Sequence, residues 1–244
     1  MIALKLAFKN LFGAGLRTWL NVAILSFAFV IIIFYNGMLD GWNRQGKRDT
    51  IAWETGKGQY WHPEYDRYDP YTFEESHGLL SEEILLETEK KNLLPVLVVQ
   101  ATAYPQGRTL GVLLKGLEPS QTILDLPTKS LRADEGPSKV IIGKRMAEST
   151  RLKVGDNFLI RWRDKHGTFD AREMQVAEIF DCNVPSADNG QIYLSIQTLR
   201  EMMELQNEAT YLVAGNNFEV REMGNWNFKD LDFATQEKSA FKIK

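Results

Sequence analysis

The side chains with most capacity for chemistry are few and scattered. His62, Glu64, Asp66 and Asp69 stand close together in QYWHPEYDRYDPYTF, residues 59–73, and are of the types that ligate a divalent metal. No paired-histidine spacing accompanies them, so no metal site is assigned. Cys182 is the only cysteine. It excludes an intrachain disulfide and a Cys-rich zinc site, and it reads as a small buried thiol rather than an activated nucleophile. His62, His77 and His166 are isolated from one another in the sequence. There is no Gly-x4-Gly-Lys-Ser/Thr phosphate loop, no Gly-x-Ser-x-Gly elbow and no His-Glu-x-x-His pair. No catalytic residue, cofactor or metal is therefore assigned, and the chain is expected not to be an enzyme.

Residues 59–73 also hold six aromatics, Tyr60, Trp61, Tyr65, Tyr68, Tyr71 and Phe73. They could present a surface to a ligand or to a membrane. A strand followed by an aromatic-packed loop is the simpler reading and is favoured.

The elements that carry these residues follow from composition and periodicity. The 244 residues are 44% hydrophobic and 25% charged, which excludes a disordered or collagen-like chain. The net charge of -3 gives no electrostatic footprint for nucleic acid. A mean hydropathy of -0.28 conceals one segment of a different character. Thr18 to Leu39, TWLNVAILSFAFVIIIFYNGML, contains no charged residue. As a helix it spans about 33 Å, enough for a hydrocarbon core of roughly 30 Å. Trp19 and Tyr35 stand near its ends, where amphipathic rings favour the interface. The apolar run is longer than a signal-peptide core, and no small-x-small cleavage site follows it. A transmembrane helix over residues 18–39 is expected.

Residues 1–17 carry Lys5, Lys9 and Arg17 and no acid, so the N-terminus is expected in the cytoplasm. All 32 acidic and 26 of the 29 basic residues then lie in residues 40–244, outside the cytoplasm. Leu4, Phe8, Leu11 and Phe12 share one helical face, which predicts a short amphipathic leader helix over residues 1–17 on the inner membrane surface. Residues 40–58 read as a stalk continuing the span until Gly56 and Gly58 end it. Residues 59–244 are expected to form the extracytoplasmic core domain.

Within that domain an amphipathic helix is expected from Leu79 to Leu93, with Ser81 as its N-cap. Strands are expected at Pro95–Ala101, Leu110–Gly116, Val140–Ile142, Phe158–Trp162, Ala171–Phe180, Ile192–Leu194 and Tyr211–Ala214. Pro105-Gln-Gly-Arg reads as the hairpin connection between the first two. Helices follow Gly143 and Ser195. Strands and helices mix without a repeating unit, so the fold class is α+β.

The order of these features resembles a known family. Leu4, Ala7, Lys9, Asn10, Leu11, Arg17 and Thr18 match L-x-x-A-x-R/K-N-L followed by R-T at the mouth of a first span. Gly37, Gly41 and Thr55-Gly56-Lys57-Gly58-Gln59 resemble its exit. LLKGLEPSQ, residues 113–121, is similar to a "KGI-x-P" strand end. VIIGKRMAESTRLKVGD, residues 140–156, is similar to "IIG-x-x-LA-x-x-L-x-V-GD". Residues 176–180 and 192–205 complete the order. This set resembles membrane permeases of the MacB/LolC/LolE type, the FtsX-like ABC transporter subunits.

The resemblance covers essentially the whole chain. It implies one span followed by a MacB-like periplasmic core domain, in the cell inner membrane. Such permeases resemble a four-span protein, and Lys244 falls about where a second span would start, so the chain reads as an N-terminal portion. The resemblance also implies a cytoplasmic ABC ATPase as partner, a second permease copy or paralogue, and a substrate or acceptor lipoprotein in the periplasm. It further implies mechanotransmission, in which ATP hydrolysis inside drives rearrangement outside. Leu4, Asn10, Arg17 and Thr18 carry the membrane-interface motif. Phe27, Phe34 and Met38 are candidates for lipid or acyl-chain contact. A single-span, membrane-anchored binding or sensor module is the alternative. An anchored hydrolase built on Cys182, His62 and Asp66 comes last.

Overall fold

A computed structural model of the chain describes residues 15–132 and 136–230, together with Lys5, Leu6, Lys9, Asn10 and Gly13. Most of the expected leader helix, including Leu4, Phe8, Leu11 and Phe12, lies outside the described residues. The chain divides into two compact units, Met1–Gly46 and Lys47–Lys244.

The first unit is dominated by helix α1, Gly15–Thr50, which contains the expected span. No residue of α1 is buried. Its stretch from Thr18 to Leu39 is apolar around the helix and is not buried by any described residue, a surface that suits a non-aqueous surrounding. With its final turns it forms one helix of 41 residues, long and apolar enough to cross a membrane.

The second unit begins with the last residues of α1 and a π-helical turn, Ile51–Thr55. Gly56 ends the turn at φ +57, a left-handed conformation that suits glycine. A Cβ there would also stand 2.6 Å from the Ala214 carbonyl oxygen, so the chain turns into its first strand only with glycine at this point.

Eleven strands follow among the described residues. They are β1 (Gly58–Trp61), β2 (Gly78–Leu79), β3 (Leu93–Tyr104), β4 (Leu110–Leu117), β5 (Ser138–Gly143), β6 (Asn157–Arg163), β7 (Phe169–Phe180), β8 (Gln191–Ser195), β9 (Glu208–Ala209), β10 (Tyr211–Ala214) and β11 (Asn227–Asp230). Helices α2 (Glu82–Glu89), α3 (Lys144–Thr150), α4 (Pro185–Asp188) and α5 (Ile196–Met203) lie between them. Nine strands form one sheet in the order β11-β1-β10-β3-β4-β8-β5-β7-β6, with β6 also paired to β3. Ala101 faces Trp162 and Tyr104 faces Leu159 in that closing ladder. The six strands from β3 to β6 thus close on themselves, and closure removes two sheet edges.

The long strand β3 serves three partners. Residues 93–96 pair with β10, 97–103 with β4, and 101–104 with β6. Its apolar residues divide by alternation. Leu97, Val99, Ala101 and Ala103 enter the inner core with Ile142, Ile160, Trp162 and Leu194. Helix α5 closes that core with Leu199 and Met202. The Trp162 indole N–H donates to the Met202 carbonyl at 2.9 Å, so the large ring is buried with its polar atom satisfied. Leu94, Val96 and Val98 face the other way, into a second core with Leu117, Ile141, Phe180, Tyr193 and Tyr211.

The expected strands and the helices after Gly143 and Ser195 are present. Ser81 caps α2, its Oγ accepting from the Ile84 N–H at 3.4 Å. The helix is shorter than expected, however. Gly78–Leu79 is the strand β2, Lys91 has φ +60, and Leu93 already belongs to β3. Pairing with β10 captures Leu93 and Leu94, and tertiary pairing outranks a local helical period.

The stretch VIIGKR acquires a physical reason. A Cβ on Gly143 would lie 2.3 Å from Asp188 Oδ1 and 2.4 Å from the Asp188 backbone oxygen. This close approach lets Asp188 Oδ1 accept from the Arg145 N–H at 3.1 Å and cap α3 from another part of the chain. Asp188 is buried and is paired with Arg145 Nε at 3.2 Å.

Candidate functional site

The outward face of the closed strands is the chemically unusual part of the domain. Three segments cover it: the π-helical turn, the aromatic stretch after β1, and the loop from Glu118 to Leu131. The turn is held by Trp53 stacked on Phe180, with ring centroids 5.7 Å apart. It is also held by the Asp125 N–H donating to the Ala52 carbonyl at 2.8 Å. The loop is organised by buried Gln121. Its Oε1 accepts from the Ile123 and Leu124 N–H groups, and its Nε2 donates to the Leu124 carbonyl.

Beneath these covers lie Glu54 and Lys115, and Arg67, 22% exposed, reaches in from the aromatic stretch. Glu54, in the π-helical turn, is only 4% exposed. It forms an ion pair with Arg67 through Oε1, and its Oε2 accepts from Ser186 Oγ at 2.7 Å. The Glu54 backbone carbonyl accepts from Gln59 Nε2 at 3.0 Å, and Gln59 Oε1 accepts from the Trp61 indole N–H at 2.8 Å. Lys115 projects from β4 on the same side and is 7% exposed. Its Nζ lies 5.8 Å from the centre of the Tyr211 ring. Burial pushes the Lys115 pKa down to about 8, with Glu54 pulling it up and Arg67 pushing it down. Burial likewise raises the Tyr65 and Tyr211 phenols, keeping both protonated. A cavity of about 80 Å³ opens between these groups.

A charge inside a protein is costly unless paired. Two cations and one carboxylate therefore mark a place where packing alone does not explain the residue choice. Such an arrangement can hold an anionic group or lock a segment against the sheet.

The sequence-derived candidates are distributed elsewhere. Leu4 lies outside the described residues, and Asn10 and Arg17 are exposed helical positions. Thr18 and Met38 are half-buried, and Phe27 and Phe34 are 67% and 71% exposed on α1. Among these, Phe27, Phe34 and Met38 fall at helical spacings of seven and four, on one stripe. Of those described, none lines a cavity.

The carboxylates of the aromatic stretch are used locally. Asp66 Oδ1 accepts from the Tyr68 N–H at 2.9 Å, and Asp69 Oδ1 from the Tyr71 N–H at 3.0 Å. No group of three metal-ligating side chains converges among the described residues. Its aromatics divide between packing and exposure. Tyr65 stacks on Tyr211 and meets Trp61 edge-on, whereas Tyr68 and Tyr71 are exposed. Cys182 is buried in the outer core, and burial raises its pKa, which keeps it a thiol.

Sequence reading missed the Glu54–Arg67–Lys115 cluster. Glu54 sits in a polar stretch that reads as stalk. Lys115 did carry a signal: it is a lone cation between Leu113, Leu114 and Leu117, in a strand that is otherwise apolar.

No protein-family model matches the chain, and no curated protein matches it. Among solved structures it is similar to the periplasmic region of MacB from Actinobacillus actinomycetemcomitans. The identity is 8% and the TM-score 0.48, over 76% of this chain and 94% of that one. It is also similar to the extracellular domain of the noncanonic ABC-type transporter YknZ from Gram-positive bacteria. There the identity is 12% and the TM-score 0.40, over 66% of this chain and 83% of that one.

Proposed function

We propose that this chain acts in an ABC transporter permease, in which an apolar span and an extracytoplasmic domain act with a separate cytoplasmic ATPase. The observation that carries this reading is the end of the long helix. Its last turns, from Lys47, are part of the domain, and Trp53 and Glu54 fasten them to the outer face of the closed strands. A turn held to the domain by a stacked ring and an ion pair supports a role for the segment from Lys47 beyond that of a slack linker. The ordered motifs from Leu4 to Leu205 support the same reading. Lys5, Lys9 and Arg17 support a cytoplasmic N-terminus and a place in the inner membrane. On this reading the chain is itself not an enzyme. Its partners are the ATPase, a second permease copy or paralogue, and lipid, and it releases or exports a lipoprotein or another amphiphile by mechanotransmission.

The test is purification of the chain from mildly solubilised native membranes. A nucleotide-binding ATPase is expected in the complex, with ATPase activity that falls when Glu54 is replaced. Recovery without any such subunit contradicts the proposal. The second reading, a single-span binding or sensor module, is favoured by one observation, the charged cavity beside Lys115.

A further inference from the structure

The cavity beside Lys115 has a charge pattern that selects its occupant. Lys115 Nζ makes no hydrogen bond or ion pair with any described residue, and its contact is the Tyr211 ring. It is nonetheless not sealed, because it is not among the buried polar atoms left without a partner. It faces the cavity that Glu54, Arg67, Tyr65, Tyr211, Trp61 and Gln191 also line. Arg67 gives one nitrogen to Glu54, and its other N–H groups have no partner among the described residues. Both Glu54 oxygens are already engaged, by Arg67 and by Ser186. The Tyr65 and Tyr211 hydroxyls make no hydrogen bond with described residues either, and as protonated phenols they are donors.

The cavity therefore presents an ammonium and part of a guanidinium between tyrosine side chains, with one carboxylate, that of Glu54, against two cations. A metal cation is repelled by that balance. A neutral apolar guest leaves Lys115 unpaired. An oxyanion satisfies both charge and donors, through the short charge-assisted hydrogen bonds that such groups form. The volume of about 80 Å³ holds a group of only a few non-hydrogen atoms. The aromatic walls of Trp61, Tyr65 and Tyr211 suit the flat, partly apolar shape of a carboxylate and its attached carbon.

We propose that this cavity is a receptor for a single carboxylate group, held between Lys115 and Arg67. The carboxylate belongs to a small organic acid or to the C-terminus of a peptide. The site stands whether the chain is a transporter permease or a sensor module.

The test uses the full chain in detergent micelles, in buffer free of carboxylates and at fixed ionic strength set with chloride. Sodium acetate is titrated by calorimetry and by saturation-transfer NMR on the acetate methyl group. A short peptide with a free C-terminus and its amidated twin are titrated alongside. Saturable acetate binding is expected, with Kd raised roughly tenfold or more in Lys115→Met, as loss of one charged hydrogen bond requires. Binding of the free-ended peptide at lower concentration than acetate, with none of the amidated twin, assigns the carboxylate to a peptide. Tighter binding of acetate than of either peptide assigns it to a free acid. No saturable binding of acetate or of the free-ended peptide by the wild-type chain overturns the proposal. So does equal affinity in Lys115→Met, or saturable binding of inorganic phosphate alone. The wild-type NMR titration stands by itself if the variant fails to fold.

Discussion

The two faces of the same closed strands are built on opposite terms. On β4, Val112 and Leu114 point into the inner core and Lys115 points out beneath the covering loops. On β8, Ile192 and Leu194 point in, and Tyr193 points out with its hydroxyl on Gln191 Oε1 at 2.7 Å. The inner core is aliphatic and aromatic and its one large polar atom, on Trp162, is satisfied. The outer face mixes aromatics with Glu54, Arg67 and Lys115, all of which would cost less in water. The inner face is what packing alone selects. The outer face gives up stability where the long helix is fastened and where a small cavity remains open.

Substitutions on the two faces sharpen this contrast. The largest loss is expected for Trp162→Ala, about 4 kcal/mol, because it empties the inner core and orphans the Met202 carbonyl. Denaturant melts of the detergent-solubilised chain measure it, and a loss below about 1 kcal/mol would mean the strands do not close as described. Glu54→Gln comes next, at about 3 kcal/mol. It leaves Arg67 and Lys115 without a counter-charge, although it removes almost no volume. The same melts should show that loss shrinking in Glu54→Gln combined with Lys115→Met, and strict additivity would break the account of a shared charge cluster. Ser81→Ala, on neither face, removes only the α2 cap and is expected to cost about 1 kcal/mol. A loss equal to that of Glu54→Gln would erase the distinction between local capping and buried charge.

Much of the domain was legible in the sequence because its strands obey local rules. Asn157–Arg163 alternates buried and exposed residue by residue, and Tyr211–Ala214 is an apolar run buried on both faces. The caps at Ser81 and Gly56 were legible for the same reason. Closure through β3 and β6 was not, because nothing in Ala101–Tyr104 states which distant strand it will meet. The two-residue strands β2 and β9 are too short to show a period, and β11, NFKD, is polar and largely exposed at the sheet edge. The charged cluster was hidden differently. Glu54, Arg67 and Lys115 come from a helical turn, a loop and a strand; Glu54 and Arg67 each resemble an ordinary surface charge, and only Lys115, a lone cation among leucines, stands out.

The claim that the outer face holds a buried cation only partly compensated by Glu54 is tested most directly by the stability of Lys115→Met against the wild-type chain as pH is varied. The lysine is depressed to about 8 in the folded chain from an unperturbed 10.5. Below pH 8 both states hold the proton, and the folded state bears the whole penalty, about 3 kcal/mol. Between pH 8 and 10.5 the unfolded chain binds more protons than the folded one, so wild-type stability rises relative to the variant. The tyrosines, common to both chains, cancel in the difference. In carboxylate-free buffer the account predicts Lys115→Met to be more stable by about 3 kcal/mol at pH 7, with the gap closing towards pH 10.5. A variant less stable than wild type at pH 7, or a gap that does not change with pH, would contradict it.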